Sequence, residues 1–349
     1  MVSPLLTRAG AVGESVPAHF GNPLAEQRML QGGSALVDSS HFGVLALTGP
    51  DRLTWLDSLS SQLLIGLAPG QTREDLILDP QGHVEHRFLI TDDGETSWIL
   101  VEPGSLGALS DWLQKMRFRM QVEITDQSAE IAVLATTNPQ ASFDEAVAVW
   151  DDPWPGIVDG GAEYSGENHP GRDFRLRFIG IPSSKLTEGL SPEWAGIDAL
   201  GALMVAAARP TMADVDEKTL PHELDLLRTA VHLNKGCYRG QETVAKVHNL
   251  GHPPRRAVLL HLDGLGGELP EIGASVSAHD NEVGRITRVV RHHEWGPLAY
   301  AVIKRSVNTD EGLIVAGPHG SISATQEVLV LPEAGATRRE ALATRRNAH

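Results

Sequence analysis

The amino-acid sequence predicts an α+β fold that ends in a small β-barrel. Two observations lead to this prediction. In the first half, candidate elements follow the order strand, helix, hairpin, helix, strand, which favours an α+β domain over a parallel βαβ sheet. Beyond Pro253-Pro254, short alternating segments separated by turn residues are typical of a small all-β barrel over residues 255–333.

The first elements follow from local composition. Residues 1–23 are rich in Gly, Pro and small polar residues and are predicted to be a flexible N-terminal arm. The apolar runs 35–37 and 44–47 predict short buried strands. Asp51 is placed to cap a helix over 51–64, in which leucines recur at helical spacing.

Turns at 80–82 and 92–94 are predicted to join antiparallel strands, in which apolar residues alternate with polar ones. Residues 106–118 predict a further helix, and the stretch 121–136 returns to strand. Residues 138–172 hold many Pro, Gly and Asp and are expected to form a long surface loop.

The remaining elements include a strand over 174–182 and a helix over 197–210 that Pro210 ends. After the barrel, residues 334–349 are charged or small and are expected to be a disordered or marginally helical tail.

Composition excludes several classes of protein. The formal charge of −16, from 29 basic and 45 acidic residues, disfavours nucleic acid as a partner. The single cysteine, Cys237, permits no intramolecular disulfide and no cysteine cage for an intrinsic metal, and it fits a reducing cytosol. The N-terminus lacks the apolar core of a signal peptide, and no window approaches the ~20 apolar residues of a membrane span. A cytoplasmic protein without a membrane partner is expected.

One stretch, residues 231–256, carries recognisable chemistry. Gly236 and Gly240 bracket a tight turn in which the backbone can approach a ligand closely. Val244 and Val247 follow at helical spacing, so the turn is predicted to begin a helix at residue 241.

Cys237 then lies just before a helix N-terminus and two residues from Lys235, and both features favour a thiolate. Three roles are compatible with this position. The residue is a reactive thiol, a single ligand to a metal site completed by another molecule, or a small buried hydrophobe that fills the turn.

The segment KGCYRGQE (235–242) matches the KGCYxGQE signature of the YgfZ family, within the glycine-cleavage T-protein folate-binding superfamily. Seven fixed residue types in eight positions make the motif specific. The resemblance covers about residues 24–333, and its further segments are GGSALVDSS, LTGPDRLTWLDSL, LDPQGHV and EVGRITR.

The resemblance implies a three-domain, T-protein-like ring whose central hole binds tetrahydrofolate or a derivative. Members of the family support assembly or repair of [4Fe–4S] clusters in client enzymes. By carry-over, Cys237 is the functional thiol. The other motif residues carried over are Lys235, Gly236, Tyr238, Gly240, Gln241 and Glu242.

The resemblance also implies domain boundaries. A discontinuous folate-binding domain comprises residues 24–50 and 130–254 and carries the motif. An α+β domain is inserted at 51–129, and the barrel spans 255–333.

Two departures from the superfamily pattern bear on catalysis. Many relatives carry Arg-x-Glu-Ala-Gly upstream of the motif, whereas the matching positions here are Met204, Ala206 and Ala208, so no charged folate contact carries over. The T-protein's catalytic Asp has no clear counterpart, since the segment reads GHVEHR with Glu85 and His86 nearby. Enzymatic aminomethyl transfer is therefore in doubt.

Two arginines and three further residues are candidate folate contacts. Arg255 and Arg256 are placed to clamp the carboxylates of the folate tail, or else form a charged entry to the first barrel strand. Asp79, Trp55 and Trp98 are candidates to line a pterin pocket, with core packing as the other role for the tryptophans.

Other motifs fail on spacing. Residues 222–232 resemble an H-E-x-x-H zinc helix, but Leu226 stands where the second His is required. His83 and His86 would not share a face of a strand. The GLGG run (264–267) is not followed by a helix pattern, so a dinucleotide site is not predicted.

Three functions follow as hypotheses. The first is a tetrahydrofolate-binding accessory protein for iron–sulfur cluster assembly or repair, with client or assembly proteins as partners. The second is a tetrahydrofolate-dependent aminomethyl or one-carbon transferase, which would need a carboxylate close to the reacting nitrogens. The third is a thiol-dependent transferase in which Cys237 is the nucleophile and His248 or another residue the base.

Overall fold

The computed structural model describes residues 2–188, 192–263 and 268–337. Within those residues the strands form two five-stranded sheets, a closed six-stranded barrel and a small hairpin. The strands are β1 (Val12–Gly13), β2 (Pro17–His19), β3 (Ala35–Asp38), β4 (Gly43–Thr48), β5 (Thr72–Leu78), β6 (Val84–Asp92), β7 (Thr96–Val101), β8 (Glu123–Asp126), β9 (Ile131–Thr136), β10 (Ala148–Asp151), β11 (Arg177–Pro182), β12 (Glu193–Ala195), β13 (Arg255–Leu262), β14 (Ser275–Ala278), β15 (Asn281–His292), β16 (Gly296–Lys304), β17 (Leu313–Gly317) and β18 (Gly320–Val328).

Helices connect and cover these sheets. The α-helices are α1 (Pro23–Gln31), α2 (Arg52–Leu59), α3 (Leu106–Met116), α4 (Ser183–Glu188), α5 (Ile197–Ala206) and α6 (Gln241–Leu250). Short 3-10 helices span Pro4–Thr7, Pro170–Asp173, Met212–Asp214, Pro221–Leu224 and Leu226–Arg228. No helix of the described ranges is long and apolar enough to cross a membrane.

The first sheet has the strand order β10-β11-β9-β3-β12. Its pairs are antiparallel except for β12 beside β3, which is parallel. Every residue of β9 is buried, as a continuous apolar strand in the middle of a covered sheet requires. Leu36, Leu134, Ile179 and Trp194 pack together in the core of this sheet.

The second sheet has the order β5-β6-β7-β4-β8, and helices α2 and α3 belong to the same core. Trp55 and Leu56 of α2 and Leu109 and Leu113 of α3 pack with strand residues such as Ile99. The order strand, helix, hairpin, helix, strand and both predicted turns are confirmed. The predicted boundary at residue 50 falls after β4, which already belongs to this sheet.

The barrel closes in the order β13-β16-β15-β14-β17-β18. Alternating apolar residues of neighbouring strands fill it, including Val258, Leu260, Ile286, Ala299 and Ala301. An α+β fold with a C-terminal barrel is therefore confirmed. The GLGG run at 264–267 lies outside the described residues.

The chain forms two compact units. The first comprises the described residues up to Ile77 together with His86–Gly156 and Arg172–Leu203. The second comprises Leu78–Glu85, Ile157–Gly171 and the described residues from Met204 onward. The Cys237 motif belongs to the second unit.

Two predicted irregular segments carry regular structure. The predicted N-terminal arm contains the helix Pro4–Thr7 and the β1–β2 hairpin, because Leu5 and Val16 bury their side chains and the Ser3 amide donates to the Ser15 carbonyl. The predicted surface loop at 138–172 contains β10, and it buries aromatic residues. These are Trp150, Trp154 and Tyr164. Of the predicted tail, residues 334–337 are described and make contacts, since Ala336 is buried and the Thr337 hydroxyl donates to the His248 carbonyl; the remainder lies outside the described residues.

Candidate functional site: the loop that carries Cys237

The motif loop, residues 235–242, packs on a hairpin turn of the same unit. Gly240 is the N-cap of α6 and has a φ of 83°. A Cβ at this position would lie 2.6 Å from the Asp79 carbonyl oxygen and 2.9 Å from the Gly82 Cα. Only glycine tolerates both the left-handed backbone and this approach. The helix predicted from residue 241 is confirmed, and the close backbone contact is with the chain's own turn.

The side chain of Gln241 closes the loop. Its Nε2 donates to the carbonyl oxygens of Lys235 and Gly236, at 3.5 Å each. Gly236 has no neighbouring atom within 4 Å of a hypothetical Cβ, so crowding does not explain this glycine. Gln241 therefore joins the start of the loop to the start of α6.

Cys237 is exposed to solvent on the motif loop. The interpretation of a buried residue that fills a turn is thereby excluded. The neighbouring Tyr238 is buried, and the Lys235 ammonium lies 5.7 Å from the centre of its ring. This cation–π contact stabilises the loop on its inner side. Glu242 is exposed in the first turn of α6, where a carboxylate complements the helix dipole.

The hairpin turn beneath the loop is organised by the Asp79 carboxylate. Its Oδ1 accepts from the amides of Gln81 and His83, each at 2.8 Å. Its Oδ2 lies 2.8 Å from His83 Nδ1. Partial burial raises the pKa of Asp79, but these hydrogen bonds from His83 and Gln81 outweigh it and hold the pKa below the usual value. An ionised carboxylate only accepts, so Nδ1 of His83 carries the hydrogen.

An ion pair connects the loop to the second strand of this hairpin. Arg239 Nη1 lies 2.6 Å from Glu85 Oε2, and Nη2 lies 3.4 Å from Oε1. Both side chains are 35% exposed, so solvent screens the pair. Arg239 occupies the variable position of the motif, and 154 residues separate it from Glu85. Nothing in the sequence pattern signalled this contact.

The residues after Glu85 belong to the first unit and have other partners. The His86 ring lies 6.5 Å from the Trp112 ring. Arg87 is buried and pairs with Glu74 and Glu102.

Buried aromatic and histidine side chains hold α6 in place. His222 is completely buried, and its Nε2 donates to the Val244 carbonyl at 3.1 Å. Burial lowers the pKa of His222 to about 3, so the ring is neutral. One turn later, His248 Nδ1 lies 3.1 Å from the Tyr164 hydroxyl. The histidine considered as a base for Cys237 is thus engaged with a tyrosine.

The two arginines predicted as folate contacts have different partners, because adjacent strand residues point to opposite faces. Arg255 donates to Asp216 at 2.7 Å and to Glu223 at 2.7 Å. Hydrogen bonds from Arg255 hold the pKa of Asp216 far below its usual value. Arg256 is completely buried and donates through Nη2 to the Gln326 side chain at 2.7 Å and to the Val307 carbonyl. Its Nε and Nη1 have no hydrogen-bond partner among the described residues.

The predicted aromatic contacts lie in the first unit. Trp55 is a core residue whose Nε1 donates to the Met116 carbonyl at 3.0 Å. Trp98 is half-buried on β7, and its Nε1 donates to Asp93 at 2.9 Å. Core packing therefore accounts for Trp55.

The segment that resembles a zinc helix is not an α-helix. Two 3-10 turns flank Asp225, whose φ is 56°. Asp225 lies 2.9 Å from Arg228, which also pairs with Glu163 at 2.6 Å. Across the described ranges, no three His, Cys, Asp or Glu side chains are grouped to hold a metal ion.

Comparison with known proteins relates the chain to aminomethyltransferases. Residues 13–143 match the GCVT N-terminal domain. The aminomethyltransferase of Symbiobacterium thermophilum is 25% identical over 341 residues, or 87% of this chain and 88% of that protein. The aminomethyltransferase of Herpetosiphon aurantiacus is 25% identical over 309 residues, with 84% of each chain covered.

The fold is also found in a solved structure. The glycine cleavage system aminomethyltransferase T of Bartonella henselae superposes with a TM-score of 0.73 at 18% identity, covering 94% of this chain and 95% of that chain. At this identity the likeness establishes the fold, and the predicted T-protein-like fold is confirmed. Residues 13–143 thus resemble the GCVT N-terminal domain, and the chain shares the fold of this aminomethyltransferase.

Proposed function

We propose that the chain is a tetrahydrofolate-binding protein of the YgfZ type that supports assembly or repair of [4Fe–4S] clusters. The observation that carries this proposal is the exposure of Cys237 on an anchored loop. An exposed thiol stands on a loop that Gln241 closes and that Gly240 and Arg239 join to the hairpin turn beneath it. A thiol fixed in this way can meet a cluster or a thiol adduct on another protein.

Folate binding is proposed from the superfamily and from the chemistry of one side chain. A buried guanidinium with unpartnered N–H groups is stabilised by an anion. Burial lowers the pKa of Arg256 to about 10, partly offset by the charge of Glu333. Arg256 therefore suits the carboxylates of a folate tail. Bound tetrahydrofolate would supply nitrogens that accept a one-carbon unit. Arg255, Asp79 and Trp98 stay predicted contacts, and Arg255 already serves two carboxylates.

The carboxylates of the hairpin turn favour an accessory role over catalysis. Asp79 accepts three hydrogen bonds within its own turn, and Glu85 pairs with Arg239. Neither is a free base. Cys237 is the single cysteine of the chain, so a cluster held by cysteine ligands requires further ligands from a partner protein.

The second candidate is a tetrahydrofolate-dependent aminomethyl or one-carbon transferase, which the names of the relatives favour. In that case the Asp79–His83 pair is the candidate acid–base group. Asp79 would orient the ring of His83 through Nδ1 and leave Nε2 for proton transfer.

A complementation experiment separates the two functions. Activity of a [4Fe–4S] enzyme is measured in cells lacking the gene and carrying wild type, Cys237→Ala or, as a matched control, the exposed neighbour Asn234→Ala. The accessory role predicts that only Cys237→Ala fails to restore activity. Full restoration by Cys237→Ala would refute it.

Purified variants test the folate site and the transferase. Calorimetric titration with 5-formyltetrahydrofolate should detect binding that Arg256→Met weakens and Cys237→Ala leaves intact. A transferase predicts methylenetetrahydrofolate formation from an aminomethyl donor, lost in Asp79→Asn. The absence of folate binding by the wild-type protein would overturn both functions.

A further inference from the structure

An exposed apolar and basic surface lies where α3 ends, in the first unit. We call residues 115–120, with the sequence KMRFRM, the α3 tip. The Phe118 side chain is 83% exposed and Met120 is 39% exposed. A surface on which neighbouring large apolar side chains are exposed is more often an interaction site than other protein surfaces are.

Hydrogen bonds attach both ends of the α3 tip to the rest of its unit. The Trp55 indole donates to the Met116 carbonyl at 3.0 Å, which fixes the last turn of α3. The Gln121 amide donates to Asp51 at 2.8 Å and fixes the end of the tip. Phe118 itself has a φ of 44°, in the left-handed region that bulky residues avoid. The fold thus keeps Phe118 outward in a backbone conformation that is unfavourable for a bulky residue.

A cleft accompanies the exposed ring. It has a volume of about 420 Å³ and is lined by residues 48–50 on one side and 117–123 on the other. Its walls include Gly49, where a Cβ would lie 2.1 Å from the Gln121 carbonyl oxygen, so the two walls are in direct contact at their base. The cleft has room for one or two apolar side chains from another molecule.

The charge of the α3 tip is opposite to that of the chain as a whole. Lys115, Arg117 and Arg119 form no ion pair within the described residues, and Arg117 donates only to the Val122 carbonyl at 3.5 Å. Glu123 is the carboxylate among the cleft-lining residues. The chain as a whole carries a net charge of −16, so this basic surface stands against an acidic background.

We propose that the α3 tip docks an acidic segment of a partner protein, which places an apolar side chain in the cleft beside Phe118. Aromatic residues, Met and Arg are the types enriched at the centres of protein interfaces. Three cations without carboxylate partners supply the complementarity that steers an acidic segment into place. This surface is independent of the folate site and of Cys237, so the docking function stands apart from the function proposed above.

The test uses fluorescence anisotropy with an array of labelled peptides. The peptides are rich in Asp and Glu and carry a central Leu, Phe or Ser. A Lys-rich series is the control with the opposite charge. The full chain is expected to bind the acidic Leu and Phe peptides about tenfold more tightly than the acidic Ser peptides, and to ignore the Lys series. Binding should weaken in 1 M salt, where the Debye length falls to about 3 Å.

Variants assign the binding to the α3 tip. Phe118→Ser and Arg119→Glu should each weaken the binding of the acidic Leu and Phe peptides by about tenfold. The first variant removes the apolar contact, and the second removes a cation that attracts the acidic residues. The controls are Ile272→Ser, which changes an apolar residue that is 70% exposed elsewhere, and Lys218→Glu, which reverses an exposed charge elsewhere. Both should bind like wild type.

Three kinds of outcome would overturn the proposal. One is equal binding of acidic and Lys-rich peptides, or equal weakening by the control variants. Another is a concentration-dependent dimer in sedimentation that Phe118→Ser abolishes, which would make the occupant a second copy of the chain. The third is Phe118-dependent binding to phosphatidylserine vesicles without peptide binding, which would make it a membrane surface.

Discussion

Replacing Gly240 with Ala tests whether the Cys237 loop depends on its contact with the hairpin turn. A non-glycine residue at a φ of 83° costs about 1–2 kcal/mol. The added Cβ would also lie 2.6 Å and 2.9 Å from backbone atoms of Asp79 and Gly82, which cannot rotate away as a side chain could. The forced backbone shift adds on the order of 1–3 kcal/mol, so the free energy of unfolding should fall by about 2–5 kcal/mol.

Gly236→Ala is the matched control, because no atom lies within 4 Å of its hypothetical Cβ. Urea unfolding followed by tryptophan fluorescence should show this variant within about 1 kcal/mol of wild type. Hydrogen exchange should show faster exchange of the α6 amides in Gly240→Ala alone. If the two variants are equally stable and α6 is equally protected in both, the proposed dependence of the loop on the turn is wrong.

Further predictions concern charged and titrating side chains. Arg239→Ala should cost no more than about 1 kcal/mol, since its pair with Glu85 is solvent-exposed, yet limited proteolysis should cut the motif loop faster. The pKa of His222 is about 3 in the folded chain against 6.5 as the ordinary value, so the unfolded chain takes up the proton first as pH falls. The contribution of neutral His222 to the free energy of unfolding is therefore complete above pH 6.5 and falls by up to about 5 kcal/mol as the pH is lowered towards 3. In urea unfolding at a series of pH values, His222→Gln should show a smaller loss of stability between pH 6.5 and pH 3. Arg255→Met leaves the fully buried side chain of Glu223 without its cation and should lower the free energy of unfolding by about 3–5 kcal/mol in the same assay. The double variant Arg255→Met/Glu223→Leu should regain most of this stability. A double variant no more stable than Arg255→Met would contradict this.

The parts of the fold that the sequence predicts are those with a strong local pattern. The barrel strands, the turns of the second sheet and the start of α6 each follow from alternation, turn residues or helical spacing within a short window. The N-terminal hairpin has no such pattern, because only a few side chains such as Leu5 and Val16 are buried. Trp150 and Trp154 were missed for a related reason, since Pro, Gly and Asp around them resemble a surface loop.

The candidate site was predicted in its residues but not in its contacts. The motif identified Cys237 and Gly240 from local sequence alone. The partners of Arg239 and Arg255 lie 154 and as many as 39 residues away, and no spacing rule links charges so far apart. Such pairs are set by the tertiary fold, which brings distant hairpins and loops together.

The contact between Gly240 and the turn at Asp79 also has a consequence for the order of folding. The two segments are far apart in the chain, so they meet only after the intervening elements have been made and much of the loop-closure entropy has been lost. During synthesis the turn at Asp79 leaves the ribosome before the motif does, because the chain emerges from its N-terminus. Cys237 therefore reaches its fixed position only after all strands of the two five-stranded sheets have been synthesised, while the barrel strands still follow. A chain whose Asp79 turn has not formed displays the thiol on an unanchored loop, so the geometry of the motif is itself a sign that these two distant segments have come together.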